Sequence, residues 1–108
     1  WYQIGYICRA VLTEFANEIF DPSYLPKDQD QPKNDDASNK LKLTARYFLR
    51  SSGVGDRYRE SIEKIIQANW DFVSNMGHRR ESATEKDARL AVIYTYLTIY
   101  LLDSLKNN

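Results

Sequence analysis

Apolar residues recur at three- and four-residue steps in four separate stretches of the chain. Over residues 1–20, Ile4, Ile7/Cys8, Val11/Leu12, Phe15/Ala16 and Ile19 fall on one helical face, and Arg9, Thr13, Glu14, Asn17 and Glu18 lie off it. Asp21-Pro22 ends this helix, because the residue before a proline disfavours the helical region. A shorter pattern over residues 39–51 puts Leu41, Ala45, Phe48 and Leu49 inside, with Asp36 or Ser38 as its cap. A third, over residues 56–76, starts at Asp56 as cap. It steps through Tyr58, Ile62, Ile65/Ile66, Asn69, Val73 and Met76, flanked by Trp70 and Phe72. Gly77 stands where a left-handed residue closes a helix.

The fourth stretch, residues 84–106, has the clearest start. Ser82 with Glu85, or Thr84 with Asp87, reads as a capping box, and the acidic side chains suit the positive end of the helix. Ala88, Ala91/Val92, Thr95, Leu97/Thr98, Leu101/Leu102 and Leu105 continue it. The run Val92–Tyr100 is rich in β-branched and aromatic residues and, taken alone, favours a strand. The cap, the absence of an internal turn and the lack of a second strand decide for a helix. A helix this apolar is central in its bundle or shared with a partner. Its continuous apolar core, about eleven residues, falls short of a bilayer span, so no membrane is expected.

Between the first two helices, residues 21–38 hold Pro22, Pro26 and Pro32 and have no apolar period. Residues 21–39 carry five aspartates against two lysines. Tyr24 and Leu25 are the residues able to pin this linker to the core. Ser51–Gly55 lacks the lysine and the preceding strand of a phosphate loop and is a plain turn. Short 2–3 and 3–4 connections then predict an all-α fold: a four-helix antiparallel bundle with a long acidic, proline-containing loop between helices 1 and 2, a loop long enough to permit a crossover variant instead.

Composition narrows the class. At 108 residues and 43% hydrophobic the chain is one globular domain, residues 1–108, rather than a disordered segment. Fifteen basic and 15 acidic side chains cancel, which removes the broad basic footprint of a nucleic-acid binder while leaving room for a local patch. Cys8 is the single cysteine, so no internal disulfide forms and a buried thiol is expected. That usage suits reducing, intracellular conditions and a cytoplasmic location. No signal peptide is visible, and a start on Trp1 reads as a domain cut from a longer protein. One histidine and one cysteine leave no credible metal site, and no cofactor is expected.

In an alternating bundle, the end of helix 1 and the start of helix 2 share a pole with the turn between helices 3 and 4. That pole would gather Asn75, His78, Arg79 and Arg80 with Glu14, Glu18 and Asp21. Three readings stand there. The arginines pair with the carboxylates and His78 closes the turn. Arg79 and Arg80, beside the helix N-terminus, hold a phosphate. Or His78 acts as general acid–base, with an arginine stabilising the transition state of metal-free RNA cleavage. Arg9 is expected to pair with Glu63 or Asp71.

The segment Asn75-Met76-Gly77-His78, a polar turn between the last two long helices, resembles the HEPN superfamily of small prokaryotic helical domains. The resemblance covers about the second half of the chain. It implies a member of a toxin–antitoxin or anti-phage defence system, many of which are dimeric ribonucleases, with His78 and Asn75 as catalytic positions. The family's arginine five to seven residues before the histidine is replaced here by Asp71, Phe72 and Val73. That departure points to a non-catalytic, scaffolding member.

Tyr94, Tyr96 and Tyr100 fall on different faces of helix 4, and with Trp1, Tyr2 and Tyr6 they form an aromatic surplus suited to an interface. The favoured expectation is therefore a non-catalytic interaction or dimerisation module of a larger intracellular protein. It would self-associate or dock a protein partner through helices 4 and 1. The alternative is a HEPN-like endoribonuclease, or an RNA-, nucleotide- or phosphate-binding domain, using His78, Arg79 and Arg80.

Overall fold

Each of the four apolar periodicities closes into an α-helix: α1 Tyr2–Ile19, α2 Ala37–Arg50, α3 Asp56–Gly77 and α4 Glu85–Lys106. The computed structural model describes residues 1–78 and 81–107, with Gly77 described by its backbone alone. No strand occurs among the described residues, so the chain is all-α.

The helix ends follow local chemistry. At the start of α4 the Thr84 hydroxyl accepts the Asp87 N–H at 3.2 Å, and the Asp87 carboxylate accepts the Thr84 N–H at 3.0 Å. The capping box is thus Thr84 with Asp87, the inner of the two expected. Two ends differ from expectation. Gly55, not Asp56, precedes α3, and Asp56 sits in the first turn as an ion-pair partner of Arg59. Gly77 stays within α3, whose cap is His78 at φ −94°, so no left-handed glycine closes it. Asp36 precedes α2, but its carboxylate accepts the Asn39 side chain at 2.7 Å rather than a backbone amide.

Residues 20–36 separate α1 from α2 and include one short 3₁₀ turn, Pro22–Tyr24. Asp21 caps this turn by accepting the Ser23 N–H at 2.8 Å, and that bond holds the Asp21 carboxyl below its ordinary value of 3.8. Tyr24 stacks on Tyr47 at 4.3 Å and meets Phe20 and Phe48 edge-on, which ties this segment to α2. Burial there, and then the nearby Asp21 charge, raise the Tyr24 phenol above its ordinary value.

The core has two parts. Ala16 and Ile19 of α1 pack with Leu41 and Ala45 of α2, Ile66 of α3 and Leu102 of α4. Cys8 and Leu12 pack with Val73 and Met76 of α3 and Ala88 and Ala91 of α4. Trp70 borders both parts. Leu12, Leu41, Ile66 and Leu102 are fully buried, each worth about 1.5–3 kcal/mol of apolar transfer. Polar contacts run alongside: Lys42 donates to Gln67 at 2.6 Å, and Arg46 donates to Glu63 at 2.6 and 3.3 Å.

This packing corrects the expected pole. The start of α1 lies beside the α3–α4 turn, and its end lies by the start of α2 near mid-molecule. The Tyr6 ring stands 6.5 Å from the His78 ring. Glu18 is twelve residues further along α1, roughly 18 Å up the helix axis. Glu14 and Glu18 therefore do not join His78. Arg9 is also placed differently, 5.7 Å over the Trp70 ring, while Glu63 is taken by Arg46.

Candidate functional site

The α3–α4 turn exposes His78 and Asn75 to solvent. The His78 N–H donates to the Asn75 carbonyl at 3.1 Å, an ordinary helix-ending bond that uses backbone alone. The imidazole meets the edge of Tyr6, and Tyr6 in turn packs edge-on to Tyr2 at 6.0 Å. Among the described residues the His78 side chain has no hydrogen-bond partner to orient it as an acid or base. Arg79 and Arg80 lie outside the described residues. No group of His, Cys, Asp and Glu suited to a metal ion occurs among the described residues.

A polar groove of about 630 Å³ runs between α2 and α3 past Lys42, Arg46 and Glu63. Five basic and three acidic side chains line it, and two ion pairs join four of these eight. Arg46 pairs with Glu63, which raises the guanidinium pKa further, and Arg59 pairs with Asp56.

The outer face of α4 has a different character. Its buried side, Ala88, Ala91, Thr95, Thr98 and Leu102, is made of small residues and one leucine. This lets α1 and α3 approach closely, with Tyr94, Ile99, Leu101 and Leu105 packed at the margins of the core. Tyr96 is 71% exposed and Tyr100 65%, and Val92, Ile93 and Leu97 are each about half exposed. Helical geometry places Val92, Tyr96 and Tyr100 within an arc of about 80°, with Ile93 and Leu97 at its margin. No charge interrupts the arc between Arg89 and Asp103. At its N-terminal end, Trp1 and Ile4 of α1 meet Ala88, Val92 and Ile93 around an apolar groove of about 450 Å³. Trp1 and Ile7 are each 59% exposed, and Val11 lies exposed one turn further on.

The five tyrosines singled out from the sequence separate here. Tyr96 and Tyr100 share the outer arc, whereas Tyr94 is half-buried with its ring edge-on to Phe72 at 5.1 Å. Tyr2 and Tyr6 lie at the His78 end of α1. The aliphatic part of the surface, Val92, Ile93, Leu97, Ile7 and Val11, was not singled out. Ile7 and Val11 were expected inside, but Cys8 and Leu12 take the buried positions of those pairs. The available signal was the doubling itself: two adjacent apolar residues at each step make a stripe wider than one neighbouring helix covers.

By length and composition α4 is also apolar enough to cross a membrane, a test that core helices of soluble proteins pass as well. The whole 22-residue helix meets it, rather than the shorter uninterrupted run. No family model matches this chain, and no curated protein or solved structure matches it either.

Proposed function

We propose that this chain is a non-catalytic helical interaction module that presents the outer face of α4, flanked by the first turns of α1, to another protein chain. The observation that carries the proposal is the charge-free stripe Val92–Tyr96–Tyr100 with Tyr96 71% exposed. Exposed aromatic and aliphatic side chains gathered on one arc mark a contact surface, whereas scattered ones do not. A protein partner is favoured over a bilayer because the opposite arc of α4 is buried against α1 and α3. Crossing a membrane would expose that packing to lipid.

The proposal includes an arrangement of the helices. The pairs Lys42–Gln67 and Arg46–Glu63 support antiparallel packing of α2 with α3, and Phe72–Tyr94 and Asn69–Thr98 support the same for α3 with α4. The contacts of Trp1 and Ile4 near Ala88 and Val92 favour α1 running alongside α4 in the same direction. This differs from strict up-down alternation, and it leaves α1 and α4 to share one outer surface.

A HEPN-like ribonuclease built on Asn75 and His78 has one observation in its favour, the solvent-open imidazole at the end of α3. Against it, the positions upstream of His78 carry Asp71, the Tyr94-packed Phe72 and the buried Val73 in place of a guanidinium.

A photo-activatable phenylalanine analogue placed at Tyr96, with the same probe at exposed Glu60 of α3 as control, tests the interaction reading in the expressing cell. Protein adducts are expected from Tyr96 and not from Glu60. Equal adducts from both positions, or none from Tyr96, would remove it. Loss of RNA cleavage in His78→Ala alone would shift the reading to the enzyme.

A further inference from the structure

We infer that the occupant of the α4 face is a second copy of this chain, with the two α4 helices packed antiparallel across a twofold axis at Tyr96. The inference rests on the interaction reading above and names its partner. Arg89 and Asp103 bound the apolar stripe on the same arc and are equidistant in sequence from Tyr96. A twofold axis at Tyr96 therefore sets Arg89 of each copy opposite Asp103 of the other, twice over. The same operation sets Val92 opposite Tyr100, a β-branched side chain against a ring, and Tyr96 opposite itself. Parallel packing would instead oppose arginine to arginine and aspartate to aspartate. The surface is thus self-complementary in one orientation only, which is what an isologous dimer requires.

The charges are free to exchange partners. Arg89 is paired with Glu85 at 2.9 Å within its own helix, but both side chains are largely exposed and such a pair holds little. Among the described residues the Asp103 carboxylate accepts the Asn107 side chain, at 3.0 Å, one turn on. The area also fits. The exposed part of the five α4 residues offers roughly 600 Å², the upper end of what a monomer leaves in its largest apolar patch. With Trp1, Ile7 and Val11 alongside, the surface reaches the ~800 Å² per partner of an ordinary stable interface. In such a dimer the charged pairs would fix orientation and the ring and aliphatic contacts would supply affinity.

Charge exchange between copies tests this. Sedimentation equilibrium of the purified chain is expected to show a monomer–dimer equilibrium. Arg89→Asp alone opposes aspartate to aspartate, and Asp103→Arg alone opposes arginine to arginine. Each is expected to weaken the dimer at least tenfold. An equimolar mixture of the two variants restores both pairs in the mixed dimer, and its affinity is expected within about threefold of the unaltered chain. Both side chains are exposed, and an unchanged helical circular-dichroism spectrum verifies folding.

A mixture no tighter than either variant overturns the pairing. An unaltered chain that stays monomeric at all accessible concentrations overturns the second copy as occupant. So does a monomer that instead sediments with vesicles of phosphatidylcholine and phosphatidylglycerol. If the chain is monomeric but the Tyr96 probe still captures a different protein, the interaction reading survives and only this inference falls. If it is monomeric and the probe captures nothing, both fall.

Discussion

Lys40 is a charged side chain inside the molecule, only 4% exposed, and its ammonium donates to the Asn17 side chain at 2.6 Å. The Phe20 ring lies 6.0 Å from the same nitrogen and offers its negative face. No carboxylate pairs with it among the described residues, so the Asn17 amide oxygen is the group that replaces lost water. Removing a partner from a buried donor costs more than removing both. Asn17→Ala should therefore destabilise the fold by about 1–3 kcal/mol. Adding Lys40→Met, which keeps the stem's volume and removes the donor, should recover most of that loss. Urea unfolding midpoints of the single and double variants check both parts, and a double variant as unstable as Asn17→Ala would refute the role of the pair. The periodic pattern did not place Lys40 inside, since a long apolar stem with a charged tip counts as polar along the sequence. Its burial depends on where Asn17 arrives, a fact of packing between two helices.

At the scale of the element, α4 shows local signals overriding intrinsic preference. Its β-branched residues lose side-chain freedom in a helix, yet two of them repay part of that cost. The Thr95 hydroxyl donates to the Ala91 carbonyl and the Thr98 hydroxyl to the Tyr94 carbonyl, both at 2.8 Å. Thr98 also accepts the Asn69 side chain at 3.1 Å, which joins α4 to α3. The start is set by the reciprocal Thr84–Asp87 box, with Glu85 adding negative charge to the first turn. Thr84→Ala should cost about 1 kcal/mol, and the amides of the first turn should exchange faster while those around Thr98 keep their protection. Hydrogen exchange distinguishes this local fraying from uniform destabilisation. Four helices and the α4 start were legible because caps, prolines and periodicity are written within a few residues of one another. The neighbours were not. Nothing in residues 1–20 says that Cys8 and Leu12, rather than Ile7 and Val11, meet α3, nor that Tyr6 rather than Glu18 reaches His78. Those choices are settled between elements, and with them which aromatic and aliphatic residues of α4 and α1 stand outermost.

The whole molecule measures 44 × 25 × 21 Å. Its cross-section is about two helix diameters each way, so no helix is enclosed on all sides. α4 is sequence-apolar on most of its circumference but has neighbours for only part of it, and its outer arc is the remainder. On the proposal above, association covers that arc, and association then enters the stability of the fold. Anything that binds the folded chain and not the unfolded one raises apparent stability with concentration. If the bound species is a second copy, a tenfold rise in chain concentration adds about 1.4 kcal/mol per dimer. Shared over two chains of this size, that is a rise in Tm of roughly 3–6 °C. Tyr96→Glu places two carboxylates on the twofold axis and should remove the concentration dependence while leaving the monomer's own transition intact, because Tyr96 contributes little to the interior. Thermal unfolding followed by circular dichroism at two concentrations tenfold apart, for both chains, reads this directly. A Tm independent of concentration in the unaltered chain means that α4 leaves its apolar arc open between copies. A dependence that persists in Tyr96→Glu means that copies meet through a different surface.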